Sequence, residues 1–176
     1  MPRRWAVLLL GLMALSGVNG TSRATEGVNE AEITAAFLFN FARYTRWPEQ
    51  HNRGEKGQRV FCFFDATDLA DVFERMVGSA TLRGRRVVVA RVSDAAELTG
   101  CQLVYTDQPL PGWLGQSDYR LLTVGRGDQF VANGGVIALF NENNHLRFKI
   151  NRRVARDAGL VLSSKLLRLA EELIDE

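Results

Sequence analysis

The chain opens with a basic start, an uninterrupted apolar run and a group of small residues. A pair of arginines precedes the apolar residues 5–15, and the segment 16–20 supplies small residues. This order is typical of a secretory signal peptide, and the run is shorter than the roughly 20 apolar residues of a membrane-spanning helix. An ordinary buried N-terminal helix is the alternative, but no polar face interrupts the run. We therefore expect a signal peptide over 1–20, cleaved near Gly20.

Residues 30 to about 46 show the first helical pattern of the exported chain. Asn29 and Glu32 have the spacing of a capping box at its start, and Pro48 ends it. Further apolar residues lie around the rest of the cylinder, so the helix is either enclosed by the core or presents a face to another chain. The positions that recur at helical spacing predict its buried face: Ile33, Phe37, Asn40, Phe41 and Tyr44.

Strand-like and helix-like patterns alternate along the rest of the chain, with no repeat and no linker between them. Short apolar, β-branched runs predict strands at 60–64, 86–92, 102–105, 120–124, 136–140, 145–150 and 160–162. Helices are predicted at 68–77, 94–98, 110–114, 128–133 and 151–158, and from Ser163 or Ser164 to about Ile174.

This order of elements predicts an α/β fold with a mostly parallel central sheet, flanked by helices on both faces. The polar pair Asn143-Asn144 separates two apolar runs, which predicts a late antiparallel hairpin. Asn151 is suited to cap the helix that follows it. We expect a single domain over 21–176.

The net charge of the chain depends on whether the predicted signal peptide is counted. The full chain has 22 Lys+Arg and 20 Asp+Glu, and residues 1–20 hold two of the arginines and no acid, so the exported chain is formally neutral. Two basic runs remain at 83–86 and 147–153, but neither is interleaved with aromatic residues that could stack on bases. We interpret them as solvated edges and expect no nucleic-acid partner.

Familiar catalytic and cofactor motifs are missing from the sequence. It contains no Gly-x-Ser-x-Gly elbow, phosphate-binding glycine loop, dinucleotide fingerprint or His-Glu-x-x-His helix. His51 and His145 do not have zinc-ligand spacing with the two cysteines. We predict no enzymatic activity, no metal and no cofactor. An enzyme with an unrecognised site is an alternative, but spacing suggests no nucleophile–base pair.

Two cysteines, Cys62 and Cys101, each lie in a strand-like run. An even number of cysteines in an exported protein favours a disulfide, and neighbouring strands could bring the pair together. Closing a loop of about 40 residues would stabilise the fold by about 4 kcal/mol on the chain-entropy model. Two separately buried thiols are the alternative.

Four segments, taken in order, resemble the YfiR family of periplasmic proteins. They are residues 35–44 followed by Trp47-Pro48, Phe130 with 134–137, the run 147–151, and 159–170. Together the segments span the chain from about residue 31 to 170. Their order and spacing, combined with the export signal, make the resemblance specific.

The resemblance implies an α/β fold, a homodimer and a regulatory, non-catalytic role in the periplasm. It implies a partner as well: a membrane-bound diguanylate cyclase such as YfiN, repressed through its periplasmic sensory domain, with a sensor kinase as an alternative. An outer-membrane lipoprotein would draw the regulator away, and cyclic di-GMP and biofilm formation would respond. It also implies a Cys62–Cys101 disulfide. Some members have a second cysteine pair, but residues 140–148 contain none here.

Five residues are candidates for contact with a partner or ligand: Phe37, Asn40, Phe41, Trp47 and Arg147. Three of these, Phe37, Phe41 and Trp47, could line an apolar pocket, which makes a small-molecule-binding periplasmic module the alternative function. Each candidate also has a structural interpretation. Asn40 could bond a buried backbone group, and Trp47 could pack under the helix end.

Overall fold

The computed structural model describes residues 23–48, 57–112 and 120–175, with side-chain surroundings from residue 30 onward. The predicted signal peptide and the last two residues of the predicted helix 110–114 lie outside the described residues. In the part of the chain that is described, no helix is both long enough and apolar enough to cross a membrane.

Six helical segments and ten strands make up the described structure. The helices are α1 (Arg23–Arg43), α2 (Thr67–Val77), a 3₁₀ turn (Ala95–Leu98), α3 (Asp128–Ala132), α4 (Arg152–Asp157) and α5 (Ser164–Leu167). The strands are β1 (Thr45–Arg46), β2 (Gln58–Phe64), β3 (Thr81–Leu82), β4 (Arg85–Val92), β5 (Cys101–Thr106), β6 (Leu122–Arg126), β7 (Ile137–Glu142), β8 (His145–Asn151), β9 (Val161–Leu162) and β10 (Glu172–Ile174).

Eight strands form one sheet in the order β10-β8-β7-β6-β5-β2-β4-β3. The five central strands from β7 to β4 are parallel to one another. β7 and β8 form the antiparallel hairpin, β3 is antiparallel to β4, and β10 is parallel to β8. β1 and β9 form a separate antiparallel pair. The mostly parallel sheet and the late hairpin were both predicted, and both are confirmed.

Both faces of the sheet are covered, because side chains alternate along each strand. Phe61 and Phe63 of β2 belong to the hydrophobic cluster beneath α1 and α2. Cys62, between them, belongs to a second cluster with Leu98 of the 3₁₀ turn and Phe130 of α3. The prediction of helices on both faces is therefore confirmed.

Local signals in the sequence placed several turns and caps correctly. Asn143 and Asn144 have φ values of 49° and 60°, the conformation that a two-residue hairpin turn requires. The Asn151 side chain accepts from Val154 N at 3.0 Å, and that of Ser163 accepts from Leu166 N at 3.2 Å. Each therefore caps the helix that follows it.

The predicted start and end of the first helix were wrong. α1 begins at Arg23, so Asn29 lies inside the helix; a capping residue favours a start but does not force one. The helix ends at Arg43 because Thr45 and Arg46 pair with β9.

The predicted buried face of α1 is also corrected. Ile33 is 41% exposed and Asn40 is exposed. The helix is rotated so that a neighbouring set of its residues faces the sheet. The buried residues of α1 are Thr34, Ala35, Leu38, Phe41 and Ala42.

The last predicted helix is much shorter than expected. α5 ends at Leu167, and residues 172–174 form β10 along the free edge of β8. Glu171 N donates to Phe148 O at 2.9 Å, which starts this pairing. Residues 172–174 are therefore a strand because their backbone pairs with β8. This is a long-range contact, which helical periodicity in the sequence cannot indicate.

Candidate functional site

Arg126, the last residue of β6, joins three elements at the carboxyl end of the parallel sheet. Its Nε donates to Tyr105 Oη at 3.0 Å and to Asp107 Oδ1 at 3.1 Å, both at the end of β5. Its Nη1 donates to Glu30 Oε1 at 2.7 Å and its Nη2 to Thr34 Oγ1 at 3.3 Å, both on α1. One guanidinium thereby ties the N-terminal half of α1 to the sheet.

The surroundings of these groups stabilise the charged form of the Glu30 carboxyl. The hydrogen bond from Arg126 holds the pKa of Glu30 below its ordinary value, and a further bond from Asn141 acts in the same direction. Tyr105 is completely buried, and burial raises the pKa of its hydroxyl. That hydroxyl donates to Asp107. The cluster is thus a polar contact between neutral Tyr105 and charged groups.

Sequence patterns alone did not identify this cluster. The carboxyl ends of adjacent parallel strands meet at one edge of a sheet. Once β5 and β6 are known to be neighbours, the sequence therefore predicts that Tyr105, Asp107 and Arg126 lie close together. The sequence gives no indication that Glu30 joins them, because it lies 96 residues from Arg126 in the chain.

Two of the predicted contact residues, Phe37 and Phe41, pack together with Phe148 of β8. Phe41 and Phe148 have ring centroids 4.9 Å apart, and Phe37 lies 5.5 Å from Phe41 and 5.8 Å from Phe148. Phe41 is 1% exposed and belongs to the core, whereas Phe37 is only partly buried. Phe37 is thus held by two core rings while part of its surface stays open.

Asn40 does not hydrogen-bond a buried group as the sequence suggested. It is exposed, and its Nδ2 donates to Ala36 O at 3.0 Å, one turn earlier in α1. Ile33, Phe37 and Asn40 are spaced as neighbours on one side of a helix. These three residues form what we call the α1 stripe.

Trp47 packs against the same hydrophobic cluster as the phenylalanines but has different contacts. Its Nε1 donates to Gln102 O at 2.9 Å, and the guanidinium of Arg59 lies 5.3 Å from its ring centroid. Gln102 is completely buried, and its Oε1 accepts from Val60 N at 2.6 Å, where the β2–β5 register shifts. The described contacts therefore do not bring Trp47 to Phe37 and Phe41 in one pocket.

Arg147 lies on a different face of the sheet from the predicted contact residue Phe37, which packs on Phe148. It adjoins Phe148 in β8, so its side chain points to the opposite face of the sheet. It pairs with Glu142 at 3.7 Å and with Glu171 at 3.2 Å, and its side chain is 49% exposed. Ion pairs this exposed contribute about 0–1 kcal/mol each.

Cys62 and Cys101 form the predicted disulfide, with their Cα atoms 5.9 Å apart. Both cysteines are buried, at 0% and 1% exposure. The bond links β2 to the start of β5 on the face covered by the 3₁₀ turn, which is the face opposite to α1.

Other features that could hold a ligand lie away from these residues. Within the described ranges, no three His, Cys, Asp or Glu side chains come together as a metal site. An open depression of about 480 Å³ lies between α3, α4 and β10, lined by Asn133, Gly134, Arg153 and Val154 among others. None of the five predicted contact residues lines it.

Comparisons with known proteins identify the family through the sequence. The model of a family described as YfiR/HmsC-like matches residues 31–171. A search of curated proteins finds no significant match.

Two solved structures show weak similarity. The ABC domain in complex with L-Trp from Streptococcus pneumoniae has a TM-score of 0.47 at 11% identity, covering 66% of this chain and 55% of that one. A conserved domain protein from Vibrio cholerae O1 biovar El Tor str. N16961 has a TM-score of 0.46 at 10% identity, covering 81% and 60%. The chain thus spans little more than half the length of these proteins, and similarities this weak carry no functional argument.

The family match covers every described element from the second half of α1 to the residue before β10. Its members are periplasmic and regulatory rather than catalytic, and they act in diguanylate cyclase signalling through the periplasmic domain of a membrane protein. The chain, whose sequence first suggested this resemblance, belongs to the YfiR/HmsC-like family.

Proposed function

We propose that this protein binds the periplasmic sensory domain of a membrane-bound diguanylate cyclase and represses it, which lowers cyclic di-GMP and biofilm formation. The observation that carries the proposal is the family match over residues 31–171. A sensor kinase is the alternative partner. We further propose a homodimer, and release of the cyclase when an outer-membrane lipoprotein draws the regulator away.

The α1 stripe has the physical properties of a contact surface. Ile33 is 41% exposed, and Phe37 offers part of a ring that Phe41 and Phe148 hold in place. A ring already held in this way loses little side-chain entropy on binding, so more of its apolar contact appears as affinity. Asn40 extends the stripe with a polar group. We therefore place the cyclase contact on this side of α1.

The alternative function, binding of a small molecule by Phe37, Phe41 and Trp47, has less support. Phe41 fills the core at 1% exposure, and Trp47 donates to the backbone oxygen of Gln102 in β5 rather than contacting the two rings. We therefore retain the regulator as the single proposal.

The test combines capture of the partner with a matched pair of variants. The tagged protein, recovered from the periplasm with its disulfide intact, is used to capture membrane proteins from the native host, and captured cyclases are identified by mass spectrometry. Ile33→Glu places a charge on the α1 stripe, and Met76→Glu places the same charge on α2 at a residue that is 42% exposed.

We expect a captured cyclase with a periplasmic domain, weaker capture by Ile33→Glu, and higher cellular cyclic di-GMP in that variant and in a strain lacking the protein. Met76→Glu is expected to behave as the wild type. Unchanged cyclic di-GMP on deletion would overturn the regulatory proposal. Equal behaviour of the two folded variants would overturn the assignment of the α1 stripe.

A further inference from the structure

Arginines from five segments gather at the amino end of the parallel sheet. Arg43 ends α1, Arg46 lies in β1, Arg59 is near the start of β2, Arg83 is in the β3–β4 turn, and Arg85 begins β4. Arg83 Nη2 donates to Arg43 O at 3.4 Å. The pKa of Arg59 is lowered first by burial and then by the nearby charges of Arg85 and Arg83. Arg59 itself is buried, at 8% exposure, so the name arginine patch is given to the other four: Arg43, Arg46, Arg83 and Arg85.

Six cations elsewhere on the described surface lie within 4.0 Å of a carboxylate, whereas others, such as Arg75 and Arg168, have none among the described residues. Arg91 pairs with Asp71 and Glu74, and Lys149 with Asp128 at 3.1 Å and Glu172 at 2.9 Å. Arg126 and Arg147 are paired in the same way.

The arginine patch brings together arginines that lack such a pair. Among the residues that the structure describes, no carboxylate lies within 4.0 Å of Arg43, Arg46, Arg83 or Arg85. Like charges brought together repel one another. An external anionic surface would remove that repulsion, so the patch is electrostatically suited to one.

Arg83 has a left-handed backbone conformation, which Asn and Gly adopt more readily than Arg. Arg83 and Gly84 have φ values of 53° and 76°, the pattern of a type I′ hairpin turn, in which Asn-Gly is preferred. The β7–β8 hairpin of the same protein follows this preference with Asn143 and Asn144. The chain therefore retains a locally unfavourable arginine at the patch, which points to a role for its side chain.

We propose that the arginine patch binds carboxylates on an acidic face of a partner protein. This rests on the proposed function for the identity of that partner, the regulated membrane protein. A guanidinium matches a carboxylate through two parallel hydrogen bonds. Aromatic rings flank the patch: Arg43 lies 5.9 Å from the Tyr44 ring centroid and Arg59 lies 5.3 Å from that of Trp47.

Arginine, tyrosine and tryptophan together are the residue types enriched at the energetic centres of protein interfaces. A lipid surface, in contrast, attracts basic residues as simple charges and favours clusters of Lys as much as Arg. The composition of the patch therefore favours a protein partner over anionic lipid.

A structural role is the competing explanation for Arg83, because cations near the C-terminus of a helix interact favourably with its dipole. The variant Arg83→Asn separates the two. It creates the preferred Asn-Gly turn, so we expect stability to be unchanged or higher, whereas removal of a stabilising contact with α1 would lower it. Arg85→Gln is the second patch variant. Arg153→Gln, an exposed arginine of α4, removes the same charge outside the patch.

Binding is measured by fluorescence anisotropy with labelled poly-L-glutamate at about 0.15 M salt, and by co-sedimentation with vesicles of phosphatidylglycerol and phosphatidylethanolamine. The protein is the full exported chain. We expect Arg83→Asn and Arg85→Gln each to weaken poly-L-glutamate binding by about tenfold, with little effect of Arg153→Gln. The cyclase captured in the preceding experiment is expected to respond in the same way.

Vesicle binding without poly-L-glutamate binding would overturn the proposal in favour of lipid. Equal losses in all three variants would show general attraction of charge and would also overturn it. Lower stability of Arg83→Asn with unchanged binding would establish the structural role. Patch-dependent binding of poly-L-glutamate in the absence of any captured cyclase would support the patch and count only against the proposed function.

Discussion

Arg126 of β6 and Glu30 of α1, 96 residues apart in the chain, are joined by a hydrogen bond of 2.7 Å between Nη1 and Oε1. The same guanidinium bonds to Tyr105 and Asp107 at the end of β5. The side of α1 proposed as the partner contact begins three residues after Glu30, at Ile33. The position of the α1 stripe therefore depends on this contact between the helix and the sheet.

Replacing the guanidinium should loosen α1. We expect Arg126→Gln to lower the free energy of unfolding by about 1–2 kcal/mol, because several partly buried charged hydrogen bonds are lost together. Urea denaturation at pH 7 measures the change. A double-mutant cycle with Glu30→Gln should give a non-additive result, and additive effects would show that the two residues act independently.

The same contact should make stability depend on pH. Arg126 lowers the pKa of Glu30 in the folded protein below the ordinary value of 4.5. The unfolded chain therefore binds the proton more readily, so the stabilisation is present above about pH 5 and is lost as pH falls through the folded pKa.

We expect wild type to be more stable than Glu30→Gln at pH 7 and the difference to shrink below about pH 4. Unfolding curves across this range provide the measurement. A difference that stays constant from pH 7 to pH 3 would contradict the assigned role of the Glu30 charge.

The disulfide should contribute strongly to stability. It closes a separation of 39 residues, which corresponds to about 4 kcal/mol on the chain-entropy model and to a lowering of Tm by about 10 °C in a domain of this size. We expect Cys62→Ser to show this loss and to misfold more readily on export. Wild type should lose similar stability under reductant, while the variant should not respond. An identical melting curve of wild type with and without reductant would refute the prediction.

Two glycines should be intolerant of substitution because they enclose one ring. A Cβ at Gly125 or Gly135 would lie less than 3.0 Å from the ring of Phe130, which is 2% exposed and has little room to move. We expect Gly135→Ala to cost about 1–3 kcal/mol. Gly112→Ala is the control, since its added Cβ meets nothing within 4 Å among the described residues beyond its chain neighbours.

A smaller residue at 130 should relieve this overlap. In the Phe130→Leu background we expect Gly135→Ala to cost much less than in the wild type, as measured by urea denaturation. An equal cost in both backgrounds would mean that the ring is not what excludes the methyl group.

Much of the fold could be predicted from local patterns. The run that became β2 and the hairpin turn at Asn143-Asn144 could be predicted because a short apolar run and a pair of turn residues are each signals contained in a few neighbouring residues. The strands β1 and β3 were missed, as each has only two residues, too few to show a period. β10 was predicted as helix because its pairing with β8 is a long-range contact.

For the candidate contact residues, too, local features could be predicted and features that depend on the tertiary structure could not. Phe37 and Phe41 were correctly expected to lie on one side of a helix, since helical spacing is local. Whether that side is buried depends on how the helix is rotated on the sheet, and here Ile33 and Asn40 face outward.

The sequence by itself determined the α/β class, the order of the main elements, the pair of cysteines and, through its resemblance, the family. Only the tertiary structure decided which strands are neighbours, how α1 is rotated, that Arg126 bonds to Glu30, and that arginines from four segments form one patch. The physical reason is that periodicity and turn preferences act over a few residues. Electrostatic and packing contacts instead depend on positions in space that distant parts of the chain reach only on folding.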